Sequence, residues 1–152
     1  LPADQVAQMI DRVVGIARSV GLDYRYDLIQ HTNTVRAHQV LHYAKAHGRQ
    51  AEAKERLLRA YFVEGRHVGR IEELADLAAD IGLDRDDVAR SLHAEEYLPA
   101  VHADQRQAQA YGINAVPFFV IEQRYGIPGA QPAEVFTRAL TQVADDRSTA
   151  TS

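Results

Sequence analysis

The run Gly112-Ile-Asn-Ala-Val-Pro-Phe-Phe-Val-Ile121 limits what this chain can fold into more than any other segment. It sets a proline at the mouth of a strongly apolar strand, in a sequence without cysteine. Proline cannot donate to a sheet ladder, so Pro117 must open the strand or stand on an unpaired edge. A Val-Pro bond at that place accommodates a cis peptide and is expected to be cis. The backbone groups of Val116 then point outward, free to pair with an extended ligand. Phe118 to Ile121 is apolar on both faces, which is the pattern of a strand inside a sheet with covering layers. Glu122-Gln-Arg-Tyr-Gly126 supplies a turn, and Tyr125 to Ile127 returns antiparallel. A lone two-stranded ribbon is marginal in water. The strand at Phe118 is therefore expected to have a neighbour that this chain does not encode, or to borrow one from a second copy.

The rest of the sequence is helical in period. Val6, Met9, Ile10, Val13, Val14, Ala17 and Val20 form an amphipathic stripe that stops at Gly21. Leu22 to Tyr26 alternates for a few residues and fits an extended connector better than a strand. Asn33 or Thr34 can cap a helix carrying Ala37, Val40, Leu41 and Ala44 to a stop at Gly48. A helix over about Gln50 to Glu64 presents Ala53, Leu57, Leu58, Tyr61 and Phe62. A polar turn over Gly65 to Gly69 precedes a stripe of Ile71, Leu74, Leu77, Ala78 and Ile81. Asp84 and Asp87 open a short helix around Val88 and Leu92. A further helix runs from about Glu96 to Tyr111, with Pro99 near its start. After the hairpin, Pro132 begins a last helix bearing Val135, Phe136, Ala139, Leu140 and Val143. The fold class read from this order is α/β and predominantly helical. Its parts are a helical block over 1–111, a strand-hairpin-helix segment over 112–144 and a disordered tail over 145–152. The side chains expected in the core are Ile10, Val14, Leu41, Leu58, Phe62, Leu74, Leu77 and Leu92.

Composition removes several functions. With 152 residues and 46% hydrophobic content the chain can bury a real core, as one domain or two small subdomains. A formal net charge of −4 gives no broad basic surface, so neither nucleic acid nor anionic membrane is a default partner. Seven histidines would reverse that sign in acid. No apolar stretch approaches the roughly 20 residues that span a bilayer, and no signal peptide is legible, so the cytoplasm is the default compartment. The chain begins without methionine, which fits a fragment or a trimmed product. The lack of cysteine excludes disulfides, thiolate metal sites and thiol nucleophiles within these residues.

His38 and His42 share a helix face at the spacing of a metal-binding pair, but no glutamate follows His38 and no third ligand is evident, so a metal site is rejected. Asn33-Thr34 reads most economically as a helix cap, Tyr61-Phe62 as core, and Glu64 to Arg70 as a solvated turn. No phosphate loop, Ser-His-Asp order or calcium loop appears, and no cofactor is implied.

Four segments in order carry a resemblance: His31-Thr-Asn-Thr-Val-Arg-Ala-His38, Ala60-Tyr-Phe-Val-Glu-Gly65, Tyr111 to Ile121, and Gly129-Ala-Gln131. Together they resemble the DsbA-like thioredoxin superfamily, most closely its FrnE branch of polyketide-biosynthesis-type oxidoreductases, over about residues 3–143. That resemblance implies a thioredoxin-like fold interrupted by inserted helices. It also implies that the strand-helix-strand bearing Cys-Pro-x-Cys is absent from these residues, which explains the missing neighbour of the Phe118 strand. The family's cis-proline and the residue before it fall on Pro117 and Val116, which then contact a thiol or disulfide substrate, peptide or small molecule. Its Asn-Thr and Ala-His pairs fall on Asn33, Thr34, Ala37 and His38, which then face the cleft between the two subdomains. The substrate-binding set is thus Val116, Pro117, Asn33, Thr34 and His38, with no catalytic or metal-ligating residue in this chain. The implied function is part of a thiol–disulfide oxidoreductase whose redox cysteines lie elsewhere. The alternatives are a redox-silent binding module using the helical cleft, or a glutathione-dependent isomerase or transferase of the kappa and hydroxychromene-carboxylate isomerase type. The expected partner of the chain itself is the missing N-terminal segment or a second copy.

Overall fold

The computed structural model of the chain describes residues 2–150. Among these residues are seven α-helices, one 3-10 turn and two strands, divided into two compact units over 1–104 and 105–152. The division falls inside the sixth helix rather than after Tyr111. Val101 is the last buried residue of that helix, and the turns after it go with the following segment.

In the first unit, α1 (Ala3–Ser19) ends where Leu22 N–H returns to Ala17 C=O at 2.9 Å. Leu22 to Arg25 is a connector, followed by the 3-10 turn Tyr26–Leu28. It is fastened to α3 (Gln50–Phe62) by Arg25 N–H donating to Phe62 C=O at 2.8 Å and by Tyr24 stacked on Phe62 at 4.8 Å. The core lies among α2 (Val35–Ala46), α3, α4 (Ile71–Ala79) and α5 (Arg85–His93), with Leu74, Leu77, Val40 and Val88 fully enclosed. Leu92 is also buried, and Ile10, Val14, Leu41 and Phe62 are half-buried. Leu58 departs from its stripe and is 45% exposed. It lies about one helical step from Leu57, and Leu57 takes the inward position with Ala53 and Ala60. The N-terminus of α5 is capped as its sequence dictates, Asp84 accepting from Asp87 N–H at 2.8 Å.

The segment Glu64 to Arg70 is not a solvated turn. Val68 is buried in the core, Arg66 N–H donates to Ala60 C=O at 2.8 Å, and Arg66 pairs with Glu73 at 2.6 Å. Glu64 accepts from Arg56 at 2.9 Å and from Arg59 at 3.1 Å, while Arg56 also reaches Asp80 at 2.9 Å. The hydrogen bond from Arg56 is the main reason the Glu64 carboxyl is held below its ordinary value of 4.5. A carboxyl lowered on folding stabilises the fold above its unfolded value and loses that contribution as pH falls through the lowered one. The unfolding midpoint of the wild-type chain should therefore exceed that of Glu64→Gln at neutral pH. The gap should close below about pH 4.5, read by denaturant titration at several pH values. A gap that persists in acid would disprove the assignment.

In the second unit, α6 (Leu98–Ala110), which straddles the division, leads to β1 (Phe118–Ile121) and β2 (Tyr125–Pro128). The strands pair antiparallel with Phe118 opposite Pro128 and Ile121 opposite Tyr125. Glu122 and Gln123 both adopt the left-handed conformation, with φ of 51° and 57°, and Arg124 N–H returns to Ile121 C=O at 3.1 Å. That is a type I′ turn built without glycine. The last helix, α7 (Ala133–Ala150), packs Phe136 edge-on against Phe119 at 4.8 Å and buries Val143. It continues through residues 145–150, where a disordered tail was expected. No glycine or proline interrupts Asp145 to Ala150, Tyr125 donates its hydroxyl to Asp146, and Arg147 pairs with Glu122 at 2.9 Å. Residues 151 and 152 of that expected tail lie outside the described residues. No helix among the described residues is long and apolar enough to cross a membrane.

Candidate functional site

Two surfaces carry the residues singled out by sequence, one in each unit. In the helical unit the site is built around the start of α2. Asn33 Oδ1 accepts from Val35 N–H at 2.9 Å, so the cap is supplied by Asn33, and Thr34, the residue preceding the helix, makes no side-chain cap bond. The hydroxyl of Thr34 is left for other use.

Thr34, Ala37, His38 and Leu41 fall on one face of α2 by helical spacing. Opposite them stand Lys54, Leu57, Leu58, Tyr61 and Phe62 of α3, with Val68 beneath, and between the two helices runs an apolar groove of about 320 Å³. The exposure of Leu58 and the half-burial of Tyr61 and Phe62 have their reason here: these side chains wall a groove instead of closing the core. His38 is exposed on its rim. His42, one turn on, is turned away from any joint role with His38, its Nε2 meeting Asp104 Oδ2 at 2.9 Å. No group of three or more His, Cys, Asp or Glu residues that could hold a metal occurs among the described residues.

Asn33 lies toward a second, polar cavity together with Arg36, Gln39, His67 and Arg70. Thr34 and His38 thus share the apolar groove, while Asn33 belongs to the other side of the helix. Sequence reasoning missed Leu58 and Lys54 as groove residues and missed Gln39 altogether. Gln39 is buried on α2 one turn before the buried Tyr43, and nothing in its local sequence marks it.

In the second unit the Val116–Pro117 peptide is cis. Val116 is 89% exposed, the most exposed large apolar side chain among the described residues, and none of its backbone groups is hydrogen-bonded within them. Pro117 C=O accepts from Gly129 N–H at 2.8 Å, which fixes the loop to the end of β2. β1 pairs with β2 along one edge, and along its other edge no strand lies among the described residues. Phe119 and Val120 remain 43% and 39% exposed. An extended chain laid against Val116 would find an N–H, a C=O and an apolar contact together.

The model of the DSBA-like thioredoxin domain family matches residues 2–141. The uncharacterized protein YwbO of Bacillus subtilis (strain 168) is 30% identical over 132 residues, which cover 83% of this chain and 64% of that protein. The crystal structure of a probable DsbA oxidoreductase from Streptomyces coelicolor matches with a TM-score of 0.86 at 39% identity, covering 93% of this chain and 62% of that one. The chain spans less than two thirds of the length of either relative. Its fold is the DsbA-like thioredoxin fold, dominated by helices. With nearly its whole length accounted for in this way, the chain belongs to the DSBA-like thioredoxin domain family.

Proposed function

We propose that this chain is part of a thiol–disulfide oxidoreductase of the FrnE type, supplying the substrate loop and the helical groove, while the redox cysteines stand on a segment outside these 152 residues. The observation that carries the reading is membership of the family over residues 2–141 in a chain with no cysteine. The open edge at Val116 and the shorter span relative to both relatives support it. In the exchange, a cysteine thiolate attacks one sulfur of the substrate disulfide, the S–S bond breaks, and the other substrate sulfur leaves as a thiolate. A second cysteine then attacks the mixed disulfide and releases the first substrate sulfur, so that two electrons pass to the substrate and the enzyme is left oxidised. The reverse sequence oxidises a dithiol. Val116 holds the substrate extended by backbone pairing.

The test is to read the gene upstream of Leu1 and to assay both the 152-residue chain and the full gene product for reduction of insulin and of glutathione disulfide. The chain should be inactive and the full product active. In the active product, Val116→Asp should lower kcat/KM for a peptide disulfide by about tenfold at unchanged melting temperature, as loss of one apolar contact would do. Exchange by the cysteine-free chain alone, or an upstream segment without a cysteine pair, would end this reading. A serine in place of the first cysteine would favour a glutathione-dependent isomerase or transferase.

A further inference from the structure

The polar cavity on the other side of α2 has a volume of about 540 Å³ and lies wholly within the helical unit. Its walls combine a buried amide without a partner and exposed charged side chains that make few contacts with the rest of the chain. Gln39 is 3% exposed, yet its Oε1 has no hydrogen-bond partner and no side-chain hydrogen bond engages the amide among the described residues. A buried amide oxygen left this way is rare enough to need a reason. Rotation of the terminal amide exchanges its oxygen and nitrogen ends, so the acceptor can be turned toward the cavity that Gln39 lines.

The arginines around it are exposed and make few contacts within the chain. The Arg70 guanidinium makes no hydrogen bond or ion pair among the described residues, and that of Arg36 donates only to Gly69 C=O at 3.2 Å. His67 Nδ1 accepts from Gly69 N–H at 3.2 Å, so the neutral ring carries its proton on Nε2 and is a donor there. At the same end of α2 the backbone N–H groups of Arg36 and Ala37 have no partner among the described residues. Glu95, held at a positive φ of 52°, adds a carboxylate without an ion pair.

We infer that this cavity is a binding site for a small molecule bearing a carboxylate next to an N–H donor, the chemistry shared by a free amino acid and a peptide C-terminus. Two guanidiniums and a helix N-terminus suit the carboxylate, because planar forked donors match its two oxygens and the helix dipole favours its charge. The N–H donor satisfies Gln39, and Glu95 accepts a second N–H or pairs with an ammonium. The volume suits a ligand of one or two residues. The inference stands independently of the redox reading, since it uses no side chain of the apolar groove or of the Val116 loop.

Calorimetric titration of the 152-residue chain with glycine, N-acetylglycine, acetate and N-methylacetamide tests it. Glycine or N-acetylglycine should saturate a single site. Acetate should bind about tenfold more weakly, because it leaves Gln39 unpaired, and N-methylacetamide should not bind. Glycine binding more tightly identifies a free amino acid as the ligand, and N-acetylglycine binding more tightly identifies a peptide end. Arg70→Ala should weaken the better ligand about tenfold. Gln39→Leu should leave the fold intact and erase the preference over acetate. Absence of saturation by both glycine and N-acetylglycine overturns the proposal, as does binding that Arg70→Ala leaves unchanged. Arg70 is exposed, so that variant decides the matter even where Gln39→Leu fails to fold.

Discussion

Replacing Leu74 with alanine should remove about 3–4 kcal/mol from the stability of the helical unit, because an enclosed leucine lost from a packed centre leaves a cavity as well as a transfer deficit. Leu74 has no exposed surface and sits in α4, within the cluster formed with α2, α3 and α5. Against a total stability of about 5–15 kcal/mol for a domain, that loss is a large fraction of the whole. The comparison variant is Leu58→Ala. Leu58 is 45% exposed on the groove wall, so its truncation should cost about 1 kcal/mol or less. Denaturant titration followed by helical circular dichroism reads both. Equal costs at the two positions would mean that the centre of the core is misplaced.

The contrast between these two leucines also shows what the sequence could and could not disclose. Helical stripes with their caps and glycine stops locate the seven α-helices among the described residues, since periodicity is a property of consecutive residues. The hairpin follows from two apolar runs flanking a polar turn. Which of two adjacent leucines faces inward is different. Leu57 and Leu58 both fit a broad stripe, and only the position of α2 across from them assigns one to the core and the other to the groove. Glu64 to Arg70 misled for a related reason: its charged residues suggest solvent, but Glu64 pairs with α3 and Arg66 with α4 while Val68 turns inward. The final turns of α7 were obscured by their polarity, which is equally compatible with a frayed end and with a helix held by Tyr125 and Glu122.

Of the candidate site, the backbone part was more legible than the side-chain part. Val116-Pro117 at the mouth of β1 follows from what proline does to a ladder, and the residue before it stands in the open. Asn33 and Thr34 were recognisable as a cap, but the cap chemistry alone does not tell which of the pair spends its side chain on the helix. The structure gives that task to Asn33 and leaves Thr34 beside His38 in the groove. Gln39 escaped notice because a glutamine on a helix is ordinarily solvated, and its burial depends on neighbours distant in sequence.

The chain leading into α2 is closely packed at two glycines, Gly65 and Gly69, and Gly65→Ala should disturb it at a cost of about 3 kcal/mol, combining left-handed backbone strain with overpacking. Gly65 has φ of +65°, and a Cβ placed there would stand 2.6 Å from Leu28 Cβ and 2.9 Å from Leu28 C=O. Its own carbonyl accepts from Gln30 Nε2 at 2.7 Å, so the strand of chain from Leu28 toward Asn33 is seated on this glycine. Pushing Leu28 away should shift that segment and loosen the Asn33 cap on Val35, two residues that line the polar cavity. Gly48→Ala separates the two causes. Gly48 has a comparable φ of +71° but open space where its Cβ would lie, so only the backbone penalty of about 1–2 kcal/mol applies. Thermal unfolding gives the two costs, and the amide resonance of Val35 reports the cap directly. It should move in Gly65→Ala and stay in place in Gly48→Ala. Equal destabilisation by the two variants, or an unmoved Val35 amide in Gly65→Ala, would show that the approach of Leu28 to Gly65 does not govern the position of the α2 N-terminus.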